Sequence, residues 1–190
     1  MIPELGHFAL ILATIVALIQ GVLPLTGTYL PSRSLQITLQ SLARPMAILQ
    51  FVLVAFAFGA LASAFLNNDF SVLYVSQHSN SLLPKPYQFA AVWGGHEGSL
   101  LLWALILSIW TLAVSLFSKH IPDAMRARIL GVMGLISVGF LLFMLMVSNP
   151  FDRMMPAALD GKDLNPLLQD PGMIFHPPML YMGYVGFSVA

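Results

Sequence analysis

Four long apolar segments constrain this chain more than any other feature of its sequence. A helix that crosses a bilayer core needs about 20 mostly apolar residues, because its backbone polar groups find no water there. Four windows meet this requirement: 8–25, 46–66, 99–117 and 129–148. A fifth apolar stretch, 179–190, reads as the start of another helix. The sequence therefore predicts an all-α fold, a polytopic transmembrane helical bundle with four complete helices and the start of a fifth.

Composition excludes several classes of protein. Only 8% of the residues are charged and 58% are apolar, whereas soluble domains carry roughly 25% charged residues. A net charge of zero argues against a nucleic-acid partner bound through bulk positive charge. The absence of cysteine excludes disulfides, thiolate metal sites and a cysteine nucleophile from this stretch. None of the four windows contains an acidic or basic residue, which argues against an ion-coupled transporter.

The charges of the connecting segments predict the orientation. The connections after the first and third windows hold five basic residues and one acid, Asp123. The opposite side holds three basic and seven acidic residues. Basic loops remain in the cytoplasm, so we expect the N-terminus and the segments 67–98 and 149–178 to face outward. These two outward loops belong to a single membrane domain, 1–190, and their length predicts that they carry the function.

The first outward motif is Trp93–Trp103, WGGHEGSLLLW. We expect a helix to start near Ser99, with the two tryptophans at interfacial depth. One interpretation is a pocket wall for a flat, apolar, anionic ligand, whose carboxylate would meet the open helix N-terminus. The alternative is that Trp93 only anchors the helix while Glu97 satisfies the amides of its first turn.

The second motif ends at His176, which precedes two prolines. Pro177 favours an extended His176 and suits the first turn of the fifth helix. The helix dipole and partial burial beside Phe175 and Tyr181 would favour a neutral imidazole, which is what haem iron takes as an axial ligand. The alternative is a capping or hydrogen-bonding role in a stiff loop. The other candidates are weaker, and we expect no ligand among His7, His78 and His120.

The two motifs together resemble the CcmF haem lyases of bacterial cytochrome c maturation. These motifs are Trp93–Trp103 and the segment 163–178, DLNPLLQDPGMIFHPP. The stretches 1–6, 68–74 and 148–151 are similar too, so the resemblance covers essentially the whole chain. The wider haem-handling family also includes CycK, the nitrite-reductase-type NrfE proteins and CcsA-like proteins.

The resemblance implies a location and a set of partners. It implies a multi-pass protein of the bacterial inner membrane with its N-terminus and both long loops in the periplasm. Its substrate would be b-type haem, delivered by the carrier CcmE. Apocytochrome c, presented by chaperones of the CcmH and CcmI type, would supply the thiols. Membrane lipid would be the remaining partner, with no nucleic acid.

The resemblance also implies roles for individual residues. His176 matches a periplasmic histidine that ligates haem iron in the family. Trp93, His96, Glu97 and Trp103 would border the haem or partner surface, and no residue matches a catalytic acid or base. The family's tryptophan-rich haem segment and further histidines lie beyond position 190, so we expect a piece of a longer protein that is inactive alone. A rival interpretation is a structural or transport subunit of a respiratory membrane complex with no haem-ligating role.

Overall fold

The computed structural model describes residues 1–187 and 189, and most of this part of the chain is helical. No strand forms among these residues; one isolated antiparallel bridge joins Val72 and Arg153. Short 3-10 turns occupy Ala91–Trp93 and Pro166–Gln169. In chain order the α-helices are α1 (Ile2–Gly27), α2 (Arg33–Ser41), α3 (Ala43–Leu66), α4 (Leu73–His78), α5 (Lys85–Ala90), α6 (His96–Phe117), α7 (Asp123–Val147) and α8 (Pro171–Gly186).

The prediction of four long apolar helices is confirmed by α1, α3, α6 and α7. They contain 26, 24, 22 and 25 residues, and at about 1.5 Å per residue each is long enough to cross a hydrocarbon core of about 30 Å. Helices α1 and α6 each pack against α3 and α7, and α8 lies against α6. The chain is therefore a multi-pass membrane protein of the all-α class.

Small residues let α1 and α7 approach closely. A Cβ added at Gly134 of α7 would lie 3.0 Å from both Ala17 O and Gly21 N, which are backbone atoms of α1. Beside this contact the amide of Gln20 donates to Leu130 O at 2.7 Å across the same interface. Close backbone approach and an interhelical hydrogen bond are what stabilise helix pairs where lipid removes the usual hydrophobic driving force.

The fifth helix begins earlier than predicted. It starts at Pro171 instead of 179, because the Asp170 side chain caps it by accepting hydrogen bonds from Gly172 N at 2.8 Å and Met173 N at 3.3 Å. Proline directly after an acidic cap is a favourable helix start. Pro177 and Pro178 consequently lie inside α8, and positions 188 and 190 of the predicted helix lie outside the described residues.

The two outward segments are joined to each other and to the N-terminus. Arg153 Nε donates to Glu4 Oε1 at 3.0 Å, and its Nη1 contacts Asp69 Oδ2 at 3.3 Å. Farther along, the Asp160 carboxylate accepts hydrogen bonds from the hydroxyl and backbone amide of Ser81. These hydrogen bonds lower the pKa of Asp160. The segments 67–95 and 148–170 therefore pack together as one cap over the end of the bundle where α1 begins, and we call it the outward cap after the side predicted for it.

We expect Gly134→Ala to destabilise the bundle by about 1–3 kcal/mol, because its new methyl group would push α7 away from the α1 backbone. Thermal unfolding in detergent micelles measures the loss. The matched control is Gly139→Ala on the same helix, where an added Cβ meets no atom within 4 Å. Equal melting temperatures for the two variants would contradict the close approach of α1 and α7.

Candidate functional site

A buried tyrosine holds the turn that leads into α6. Tyr74 is only 2% exposed, and its hydroxyl donates to Val92 O at 3.1 Å and accepts from Gly95 N at 2.9 Å. Burial raises the pKa of Tyr74, and the nearby Glu97 carboxylate raises it further. The phenol is therefore neutral and serves as a fixed hydrogen-bonding centre for the turn.

The packing around Tyr74 leaves no room for a side chain at position 98, which is Gly98. A Cβ at Gly98 would lie 1.6 Å from Val92 O and 2.6 Å from the Tyr74 hydroxyl. The first of these atoms belongs to the backbone, so no side-chain rotation could relieve the clash. The glycine-rich sequence before α6 thus reflects close backbone approach to the tyrosine.

The predicted start of this helix is wrong in two respects. The helix α6 begins at His96 instead of near Ser99, and the Ser99 hydroxyl donates to Trp93 O at 2.8 Å instead of capping free amides. The amide of Gly95, which directly precedes the helix, already donates to the Tyr74 phenol. This amide is therefore not free to bind a ligand carboxylate.

The candidate residues of the first motif point in different directions. His96 Nδ1 lies 2.8 Å from Ser148 Oγ, which connects α6 to the end of α7. Glu97 is half-buried beside Tyr74. Trp103 lies about 10 Å along α6 from His96 and stacks on Phe140 of α7, with ring centroids 3.9 Å apart.

Trp93 is directed toward α8. Its indole Nε1 donates to Ile174 O at 3.2 Å, and Phe89 packs edge-on against its ring with centroids 5.4 Å apart. An apolar cleft of about 610 Å³ opens beside this contact, between α5 and α8. Its walls are aromatic and proline-rich and include Pro86, Tyr87, Phe89, Trp93, Ile174, Phe175 and Pro178.

His176 lies in the second turn of α8 and is exposed. The predictions that it is extended, partly buried and next to a helix end are therefore wrong, because Asp170 starts the helix before it. Ile174 and Pro178 line the cleft, and His176 is two residues from each. Since successive residues advance by about 100°, His176 lies on the opposite face of α8. Among the described residues, none hydrogen-bonds to its imidazole.

The predicted site residues thus form separate contacts instead of one pocket. Trp93 packs on one side of α8 and His176 projects from the other, while His96 and Trp103 face α7. Sequence reasoning also missed Tyr74, whose hydroxyl has hydrogen-bond partners 18 and 21 residues away in the chain. No local spacing pattern marks such a residue; the nearest signal is the pair of glycines that its hydroxyl contacts.

Comparison with known proteins places these features in a family. A family model described as cytochrome C assembly protein matches residues 93–190, which includes the turn before α6 and all of α8. This region contains both motifs singled out from the sequence.

Individual relatives agree with the family match. The chain is 63% identical to the cytochrome c-type biogenesis protein CcmF of Pseudomonas aeruginosa and 54% identical to CcmF of Escherichia coli. It is 45% identical to NrfE of Haemophilus influenzae. The whole chain aligns in each case but covers only 28–29% of the relative. A solved structure titled cytochrome c heme lyase CcmF superposes with a TM-score of 0.79 at 27% identity, covering all of this chain and 29% of that one.

We expect Tyr74→Phe to destabilise the protein by about 1–3 kcal/mol, because the Gly95 amide and the Val92 carbonyl around the lost hydroxyl would lose their partner. Thermal unfolding in detergent micelles is the measurement. Tyr87→Phe is the matched control, since its hydroxyl bonds to none of the described residues. A Tyr74→Phe variant as stable as this control would contradict the role of the phenol.

Proposed function

Because the chain belongs to the cytochrome c assembly protein family, we propose that it helps to hold haem at the periplasmic face of a bacterial inner membrane for covalent attachment to apocytochrome c. The family match and the relatives' names support a part in cytochrome c biogenesis. The chain spans less than a third of those relatives' length, so the proposed activity is that of the full-length protein. Within it, this chain would contribute one ligand and the scaffold that presents it.

One observation carries the proposal: an exposed imidazole on α8 that no described residue engages. His176 follows the acidic cap by six residues, so it lies in the second turn of the helix. Among the described residues, no group of three His, Cys, Asp or Glu side chains could hold a bare metal ion. A single histidine suits haem iron, which already has four porphyrin nitrogens and needs only axial ligands.

The chemistry assigned to this chain is positioning. A thioether forms when a substrate thiol adds across a vinyl group: sulfur bonds to one vinyl carbon and the proton goes to the other. This addition requires no external oxidant or reductant. His176 would fix the iron, and hence the vinyl groups, beside the thiols, so that two reactants meet in one orientation. The donor and acceptor of haem would be the carrier CcmE and apocytochrome c with its CcmH- or CcmI-type chaperones.

The orientation of the proposed site follows from charge. The outward cap contains an excess of acidic residues, whereas the α1–α3 and α6–α7 connections are basic. The positive-inside rule therefore places α8's first turns in the periplasm, where cytochromes c receive their haem.

We expect Leu159→Cys to react with a membrane-impermeant maleimide in intact cells, whereas Asp123→Cys reacts only after permeabilisation. Both side chains are exposed, at 104% and 78%, so a difference in reactivity reports the side of the membrane. The reverse labelling pattern would overturn the periplasmic assignment.

We expect His176→Gly, in the protein as made in its native membrane, to lower haem retention and cytochrome c yield at least about tenfold, because the iron would lose an axial ligand. Added imidazole should partly restore both, since it can enter the space that the side chain leaves. The absorption spectrum of the purified protein and haem staining of cytochromes c are the measurements.

The matched control for this substitution is His120→Gly, which removes another exposed histidine. His120 lies in the connection after the C-terminal end of α6. The cytochrome c yield of this variant should equal that of the parent. Normal maturation in His176→Gly would exclude the ligand role and favour the rival interpretation, a structural subunit.

A further inference from the structure

Two prolines interrupt the hydrogen bonding of α8 directly after His176. In an α-helix each backbone N–H donates to the carbonyl four residues earlier, and proline has no N–H to donate. Pro177 therefore leaves the Met173 carbonyl without its helical donor, and Pro178 does the same to Ile174. The helix nevertheless continues through both prolines to Gly186, so another group must support this turn.

Trp93 supplies the missing donor. Its indole Nε1 donates to Ile174 O at 3.2 Å, and Ile174 O is the carbonyl to which Pro178 cannot donate. Ile174 is half-buried against the tryptophan, whereas Met173 is exposed. The ring is itself held in place, since Phe89 packs against it and the Ser99 hydroxyl donates to the Trp93 carbonyl at 2.8 Å.

This bond fixes which way α8 faces. Asp170 caps the helix and so sets where it starts, while the bond to Ile174 sets how it is rotated about its axis. His176 is two residues beyond Ile174 and lies about 200° around the helix from it. When the Ile174 carbonyl is held toward Trp93, the imidazole consequently points away from the bundle.

We infer that Trp93 is a positioning residue for His176: its indole N–H replaces the donor that Pro178 lacks and thereby presents the imidazole outward. The inference rests on the proposed function for the importance of His176, but its geometry does not involve haem. In this role Trp93, the tryptophan of the WGGHEG motif, acts by orienting α8 and does not contact the substrate.

The chain offers a matched control in a second indole that bonds to α8. Trp110 Nε1 donates to Met182 O at 3.1 Å, which is again an indole of the α6 region bonding to an α8 carbonyl. The residue four positions after Met182 is Gly186, which has a backbone N–H. The Met182 carbonyl therefore keeps its helical donor, and loss of the Trp110 bond should not change the rotation of the helix.

The first test measures the rotation of α8 with a readout that does not depend on haem. Single cysteines are placed at Ile174 and His176, and their rates of labelling by an impermeant maleimide are compared in the full-length protein in its membrane. Trp93→Phe keeps a ring but removes the N–H. The ratio of the rate at 176 to the rate at 174 should fall about three- to tenfold in the Trp93→Phe background and stay unchanged with Trp110→Phe.

The second test measures the consequence for the ligand, with His176 intact. Trp93→Phe should reduce haem retention about three- to tenfold and shift the axial-ligand absorption bands, and added imidazole should restore much of the retention. A variant that merely loses folded protein would not recover with imidazole. Trp110→Phe should retain haem like the parent.

The outcomes distinguish this inference from the proposed function. An unchanged labelling ratio in Trp93→Phe, or an equal fall with Trp110→Phe, would overturn the positioning role. A changed ratio with normal haem retention would support the positioning of His176 but overturn its proposed role as a haem ligand.

Discussion

Every backbone N–H and C=O group that leaves water must find a partner inside the protein, and this constraint determines most of the structure. It makes α1, α3, α6 and α7 long helices, because a helix satisfies its own peptide groups in lipid. It also explains the hydrogen bonds made by two side chains at the end of the bundle that carries the cap. The Tyr74 hydroxyl pairs with an amide and a carbonyl of the turn before α6, and the Trp93 indole pairs with a carbonyl of α8.

These hydrogen bonds use side chains from distant parts of the sequence. A hydrogen bond contributes only about 0.5–1.5 kcal/mol when both partners can otherwise reach water, but a buried group left unpaired costs about 1–3 kcal/mol. By contrast, the ion pairs of Arg153 are partly exposed, and such pairs contribute little individually. The outward cap is therefore stabilised mainly by its buried hydrogen bonds and packing, with the exposed ion pairs as minor contributions.

The long helices could be predicted from the sequence because hydropathy over about 20 residues is a local property. The start of α8 could not be predicted as easily, because two competing signals occur within eight residues. Pro177 and Pro178 indicate a helix beginning there, and Asp170 followed by Pro171 indicates one beginning earlier. The earlier start prevails because the acidic cap satisfies two amides. Tyr74 could not be found from spacing at all, since its partners are distant in the chain.

The placement of His176 shows how these local solutions combine into a site. Successive residues of a helix are rotated by about 100° about its axis. If α8 started one residue earlier or later, a different side chain would point away from the bundle. The cap and the bond from Trp93 to Ile174 are both required to define one rotation, because the cap fixes the register and the indole fixes the face. The prolines that weaken α8 internally make its orientation depend on the turn before α6. In this arrangement the proposed ligand is presented by the bundle as a whole, and its own helix alone would not suffice.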